Sequence, residues 1–186
     1  MLKIYVANLG KYNEGHLVGE WVNLPCTEEE MQNLFVRIKL ARFENGEYIE
    51  GYEENGSIYE EHAIHDFETD IEGLKVEEYS SISELNELAE TIEDFEESET
   101  TALQAFLENG CDIEKAIEHV QDGDYRIYYD CEDMEDVAQE YADEVGLLDS
   151  VPENLRGYFD FASFGRDMGF EGTYIFIGND CVELIY

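Results

Sequence analysis

His62 and His65 bracket Ala63 and Ile64 with Asp66 alongside, a grouping whose side chains could ligate a metal or move a proton. On a strand, the side-chain period of two sends residues three apart to opposite faces. The pair cannot readily close on one ion, and a structural or surface role is expected for both. His16 and His119 have no ligand pattern nearby. The run DCEDMEDVAQEY, residues 130–141, has the acid density of a calcium loop. It places Glu135 where glycine must make the sharp turn and Tyr141 where a bidentate glutamate belongs, so it fails that pattern. Gly15 and Gly19 sit in a hairpin, not in a glycine-rich loop leading to a helix with lysine, which sets nucleotide binding aside. Paired carboxylates could do acid and base work, but among 47 acids such pairs arise everywhere by chance. No Ser–His–Asp or Cys–His arrangement can be argued from spacing, because triads assemble only in space. The chain is expected to have no catalytic residues, no metal and no cofactor.

What remains is charge. The 186 residues carry 47 Asp plus Glu against 10 Lys plus Arg, a formal net charge of −37. Hydrophobic residues make up 44% and aromatics 13%, too many for a solvated acidic tail, so the chain should fold. Self-repulsion on this scale opposes compaction and calls for a reason beyond solubility. Either the protein is halophilic, or its partner is cationic, as surfaces that grip DNA are. Duplex DNA carries one charge per ~1.7 Å of axis, so 37 charges match about 63 Å of duplex, and an extended shape is expected. No binding to nucleic acid or to a membrane is expected, and no stretch approaches a transmembrane length. Cys26, Cys111, Cys131 and Cys181 are widely spaced with no CxxC, and the start MLKIYVANLG runs straight into a strand pattern. Reduced thiols in the cytoplasm are the expectation.

The elements that must position these acids follow from periodicity. KIYVANLG and GHLVGEWVNLP read as a hairpin across KYNEG, with Pro25 closing its second strand. Thr27 with Glu30 forms a capping box before a helix whose stripe is Met31, Leu34, Phe35 and Ile38. EHAIHDFE returns as a strand. Between them, GEYIEGYEENGSIYEE places Glu44, Glu47, Glu50, Glu53 and Glu54 in what reads as a mobile acidic loop or excursion. Ser81 with Glu84 forms a further capping box, ahead of a helix buried through Leu85, Leu88, Ala89 and Ile92. TTALQAFLENG, stopped by Gly110, and DIEKAIEHVQDG, opened by Asp112, follow as helices. This helical middle is too small for a large core of its own and should lean on its neighbours or on a partner. The strand YRIYYDC, the helix EDMEDVAQEYADEVGLL and a closing hairpin around Asn179 and Asp180 complete an α+β chain of small domains in a row. The expected division is 1–79 (sheet plus helix), 80–124 (helical) and 125–186 (α+β).

Acids recur along the helices at three- and four-residue steps: Glu84, Glu87, Glu90, Glu93, Asp94 and Glu97, then Glu132, Asp133, Glu135, Asp136, Glu140, Asp143, Glu144 and Asp149. That spacing puts neighbours on one helical face ~5–6 Å apart, broadly the separation of phosphates along a DNA strand. A solvated face is the ordinary explanation for such a row. The near-uniform sign, with few lysines between, favours a surface that meets a cationic partner. Tyr158, Phe159, Phe161, Phe164 and Phe170 exceed what one helical face can bury, so either core or a contact with another chain is expected.

Three blocks, IYVANLGKYNEGHLVGEW, EEHAIHDFE and LLDSVPENLRGYFDFASFGRDM, resemble ArdA, the antirestriction proteins of conjugative plasmids and transposons, and are close to the form from Gram-positive transposons. The last block resembles the family's antirestriction motif, with Tyr158, Phe159, Asp160, Phe164, Gly165, Arg166 and Asp167 in place. Phe161 stands where tyrosine would be expected and Met168 where leucine would be. The resemblance implies an elongated homodimer of three small domains per chain that imitates bent DNA. It would occupy the DNA-binding groove of type I restriction-modification enzymes, with the motif, Phe161 included, near the dimer contact. An acidic chaperone or adaptor for basic DNA-binding proteins is the alternative from another class.

Overall fold

Leu2, Ile4 and Val6 alternate along the opening strand β1 (Leu2–Asn8) and are buried, which makes it the centre of a sheet. In the computed structural model, which describes residues 1–185, β1 pairs antiparallel with β2 (Gly19–Leu24) on one side and β7 (His62–Thr69) on the other. The link between β1 and β2 contains a short helix, α1 (Leu9–Asn13), which Asn8 caps by accepting from the Lys11 N–H. Asn8 is fully buried, and its amide donates to the carbonyls of Ile38 and Lys39 at 3.1 and 2.8 Å. It thereby ties the sheet to the end of α2 (Glu28–Arg37), the helix expected from the Thr27 capping box, which is present in full. Leu34 and Ile38 carry its buried face.

The acidic excursion is regular structure rather than a loop. It forms two hairpins, β3 (Ala41–Glu44) with β4 (Glu47–Glu50) and β5 (Tyr52–Glu54) with β6 (Ser57–Tyr59). Each turns on an Asn-Gly pair with both φ angles positive, 55° and 86° at Asn45 and Gly46, 56° and 83° at Asn55 and Gly56. Those are the dihedrals that match the twist of a two-residue hairpin loop, and asparagine with glycine adopts them at least cost.

Helix α3 (Ile82–Glu93) buries Ile82, Leu85 and Ala89 and packs near β2. Ser81 caps it by accepting from the Glu84 N–H, the half of the expected capping box that forms. These elements make up one compact unit, Met1–Phe95, and the second begins at Glu96. The helical stretch 80–124 is therefore shared between units, with α3 in the first and α4 (Glu97–Glu108) and α5 (Ile113–Asp122) in the second.

In the second unit β8 (Tyr125–Tyr128), β9 (Thr173–Ile177) and β10 (Asp180–Leu184) form an antiparallel sheet with β10 central. Helix α4 covers that sheet with Ala102, Leu103, Ala105 and Phe106 buried. Helices α6 (Met134–Glu144) and α8 (Phe161–Glu171) pack on each other, with α7 (Glu153–Arg156) between them in sequence. Tyr128, Cys131, Val137 and Cys181 form a core cluster against which Met134, Tyr141, Met168 and Tyr174 pack. The fold class is mixed α+β, as the order of strand and helix patterns implies. All four cysteines carry free thiols, and no helix among the described residues is long and apolar enough to cross a membrane.

Candidate functional site

Sixteen carboxylates stand out from the sequence as a partner surface. Fifteen of them are exposed and Asp136 is half-buried. Glu44, Glu47, Glu50 and Glu53 are carried by the two hairpins, and Glu84, Glu87 and Glu90 by α3. A three-residue step advances an α-helix by about 4.5 Å and turns it back by about 60°, so these last three form a slanting stripe. The row does not continue unbroken, as the spacing had implied. Asp94 is the C-cap of α3, and Glu97 opens the separate helix α4. The Ile92 carbonyl accepts from the Phe95 N–H, and Glu96 ends the break as the N-cap of α4, its own N–H bonded to Glu99 at 2.7 Å. Glu132, Asp133, Glu135, Asp136, Glu140, Asp143 and Glu144 gather on and just before α6.

Some of these acids also build their own scaffold. Asp133 caps α6 by accepting from the N–H groups of Glu135 and Asp136, and Asp136 accepts from the Glu132 N–H at 3.0 Å. Glu140 accepts from the Cys131 thiol at 3.3 Å; burial, with Glu140 beside it, pushes that thiol up to about 12. Among the described residues only one of the sixteen, Glu44, has a basic group within 4.0 Å, namely Arg42 at 3.6 Å. The array therefore faces solvent with its charge largely uncompensated.

The basic residues are spent elsewhere. Lys11 is buried and donates to Glu54 at 2.5 Å and to the Tyr59 hydroxyl at 2.9 Å. Lys39 reaches the other oxygen of Glu54 at 2.9 Å, and Tyr59 donates to Glu14 at 2.7 Å. Glu54 thus belongs to a latch that fixes β5 and β6 to α1 and the end of α2. Sequence reasoning missed this grouping because its members lie up to 48 residues apart. Hydrogen bonds from Lys11 and then Lys39 hold the Glu54 carboxyl at about 2. A depressed carboxyl stabilises the fold above the ordinary carboxylate range and ceases to do so as pH falls through its own value. Glu54→Gln is therefore expected to lower the thermal midpoint at pH 7 by a few degrees. The gap from the parent protein should close between about pH 4.5 and 2, as thermal scans across that range would show.

The two histidines part company as the strand period requires. His62 meets the Phe35 ring at 5.4 Å and His65 the Tyr12 ring at 4.5 Å, beside a bulge between Tyr5 and Val6. Burial lowers the His62 pKa. No cluster of three metal-ligating side chains occurs among the described residues.

In the segment 158–167, Asp160 is the N-cap of α8, accepting from the Ser163 N–H at 3.0 Å and its hydroxyl at 2.8 Å. Those bonds, backbone first, hold its carboxyl below the usual range. Phe159 stacks edge-on against Phe161 and Phe164 at 4.8 and 5.6 Å, and Phe164 approaches Tyr141 of α6 at 6.2 Å. Gly165 is buried at the crossing of α8 over the start of α6. These contacts absorb part of the aromatic surplus within the chain. Tyr158 and Phe170 remain 85% and 82% exposed, and the exposed Arg166 pairs with its neighbour Asp167 at 3.5 Å.

A family model described as antirestriction protein (ArdA) matches residues 4–183. No curated protein matches the chain.

Proposed function

The chain belongs to the ArdA antirestriction protein family, and we propose that it inhibits restriction by presenting carboxylates where a DNA-handling enzyme expects phosphates. The observation that carries this reading is the exposure of fifteen of the sixteen nominated acids with a single basic neighbour among them. Such an array leaves its field free to act at range, so it speeds encounter with a cationic cleft and then occupies it. The partner is a type I restriction-modification enzyme, and the site is the DNA-binding groove of its methyltransferase core. Cleavage and methylation both need that groove, so both are blocked, and incoming mobile DNA is protected. The inhibitor acts by occupancy and not by catalysis, in the cytoplasm.

The same reading has the stretches 1–79, 80–124 and 125–186 act as three successive parts of one DNA-like surface, doubled in a homodimer. The exposure of Tyr158 supports a dimer contact through the segment 158–167, since an aromatic ring 85% exposed is little used by the chain's own packing. The test is a competition titration in which a type I enzyme bound to labelled target duplex receives increasing amounts of this protein. Displacement at a fixed ratio is expected. Retention of the duplex, with binding instead to histone-like basic proteins, would favour an acidic chaperone.

A further inference from the structure

The carboxylate array accounts for attraction but not for the groove that lies inside it. Between α2 and α3, in the first unit, an open cavity of about 480 Å³ is lined by Met31, Phe35, His62 and Ile82. Ile82 is buried and the other three are half-buried, so a solvent-facing apolar floor stands between two helices rich in glutamate. No lysine or arginine lines it. Its rim is negative on both sides. Glu28 is part of the lining, Glu30 accepts from the hydroxyl of the lining residue Thr27 at 2.8 Å, and Glu90 accepts from the amide of the lining residue Asn86 at 3.1 Å.

We infer that this groove is a docking site for one apolar side chain flanked by lysines or arginines on a partner protein. The charge pattern selects the occupant. A bare polycation finds carboxylates everywhere on this surface but has nothing to bury in the floor. A neutral apolar segment gains the floor but not the rim. Only a segment with both is complementary to floor and rim together. Burying a leucine-sized side chain is expected to tighten binding by roughly tenfold over the same segment without it. That gain survives added salt, because apolar burial is not screened. The inference rests on the proposed function only in taking the partner to be basic, and it is tested without any restriction enzyme.

The full chain, labelled at its methionine methyl groups, provides the experiment. Met31 reports from the groove, and Met134 and Met168 report from the second unit as controls. The probes are blocked peptides Lys-Lys-Leu-Lys-Lys, Lys-Lys-Ser-Lys-Lys and Ser-Ser-Leu-Ser-Ser. The expected result is a saturable shift of the Met31 methyl with the first peptide, binding at least about fivefold tighter than the serine-centred one, and a smaller shift with either of the other two peptides. Binding of the first peptide should weaken in the Glu28→Gln, Glu90→Gln double variant. Equal shifts with Lys-Lys-Ser-Lys-Lys would overturn the proposal by showing that carboxylates alone bind, and equal shifts with Ser-Ser-Leu-Ser-Ser by showing a general apolar pocket. A Met31 shift that grows with protein concentration alone would assign the groove to a second copy. No shift with any peptide also ends it. Failure of the duplex competition while the first peptide still binds would count against the proposed target only.

Discussion

Gly165→Ala is expected to unfold the second unit or cost it more than about 3 kcal/mol, whereas Gly169→Ala, one helical turn on, is expected to be neutral or mildly stabilising. Both glycines lie in α8 and both face Met134 of α6, but at different distances. A Cβ on Gly165 would overlap the carbonyl oxygen of Met134 and sit 2.6 Å from its carbonyl carbon. Backbone at the start of a capped helix cannot swing aside as a side-chain tip can, so α8 would have to lift off α6. That movement would pull Met168 away from the Cys131, Val137 and Cys181 cluster and Phe164 away from Tyr141. A Cβ on Gly169 would instead meet only the Met134 side chain at 3.7 to 4.0 Å, an ordinary van der Waals contact. Replacing a mid-helix glycine that has room recovers ~0.5–1 kcal/mol of backbone entropy. The two variants should therefore move the urea midpoint in opposite directions. Equal midpoints for both would show that the helix crossing is looser than its geometry indicates. The result bears on the segment 158–167, because its glycine then serves to seat the helix that carries Arg166.

How much of this was legible in the sequence differs from element to element. Helix α2 could be read because its signal is local: Thr27 and Glu30 cap it, and an apolar residue follows on every turn. Helix α5 and the β9–β10 hairpin were legible for the same reason, since Asp112, Gly123 and Asn179 stand at the ends of clear periodic runs. The hairpins β3–β4 and β5–β6 carry a local signal too, although their composition reads as an acidic loop or excursion. Their Asn-Gly pairs are strong turn signals that set the hairpins despite a density of glutamate that ordinarily disfavours strands. Glu54 is further held by Lys11 and Lys39, partners that no local pattern reveals. The break between α3 and α4 was hidden by the acids themselves. Helical spacing of the acids continues through Asp94 and Glu97 across the end of α3, so charge periodicity alone overstated the helix. The exposure of the acids, by contrast, followed from composition, because ten basic residues cannot pair forty-seven carboxylates. The close approach at Gly165 could not be read at all, since it depends on where a helix thirty residues earlier in the chain lies.

The triple variant Glu84→Gln, Glu87→Gln, Glu90→Gln is expected to lose inhibition while leaving the fold as stable as before or more so, and that opposition of signs makes it decisive. Helix α3 contains no lysine or arginine, so its acids repel one another without relief. Neutralising like charges at three- and four-residue spacing favours a helix, most of all for Glu90 in its C-terminal half, where the helix dipole opposes an anion. Any loss of inhibition therefore cannot be ascribed to unfolding. A single exposed charge pair changes affinity by no more than about fivefold, so each single variant should stay close to the parent protein. Removing three neighbouring charges from one stripe should weaken displacement of duplex by roughly ten- to a hundredfold, because each then leaves a cation of the cleft unmatched. Salt sharpens the test. A DNA-binding cleft that contacts 6–10 phosphates loses ~10³–10⁵ in affinity for duplex between 50 and 200 mM salt. A carboxylate array that meets the same cations must also weaken as salt rises, and the triple variant should weaken less steeply, having fewer charges to screen. Parallel slopes for parent and variant would mean that α3 does not face the cleft, and would leave the hairpins and α6 as the surfaces that do.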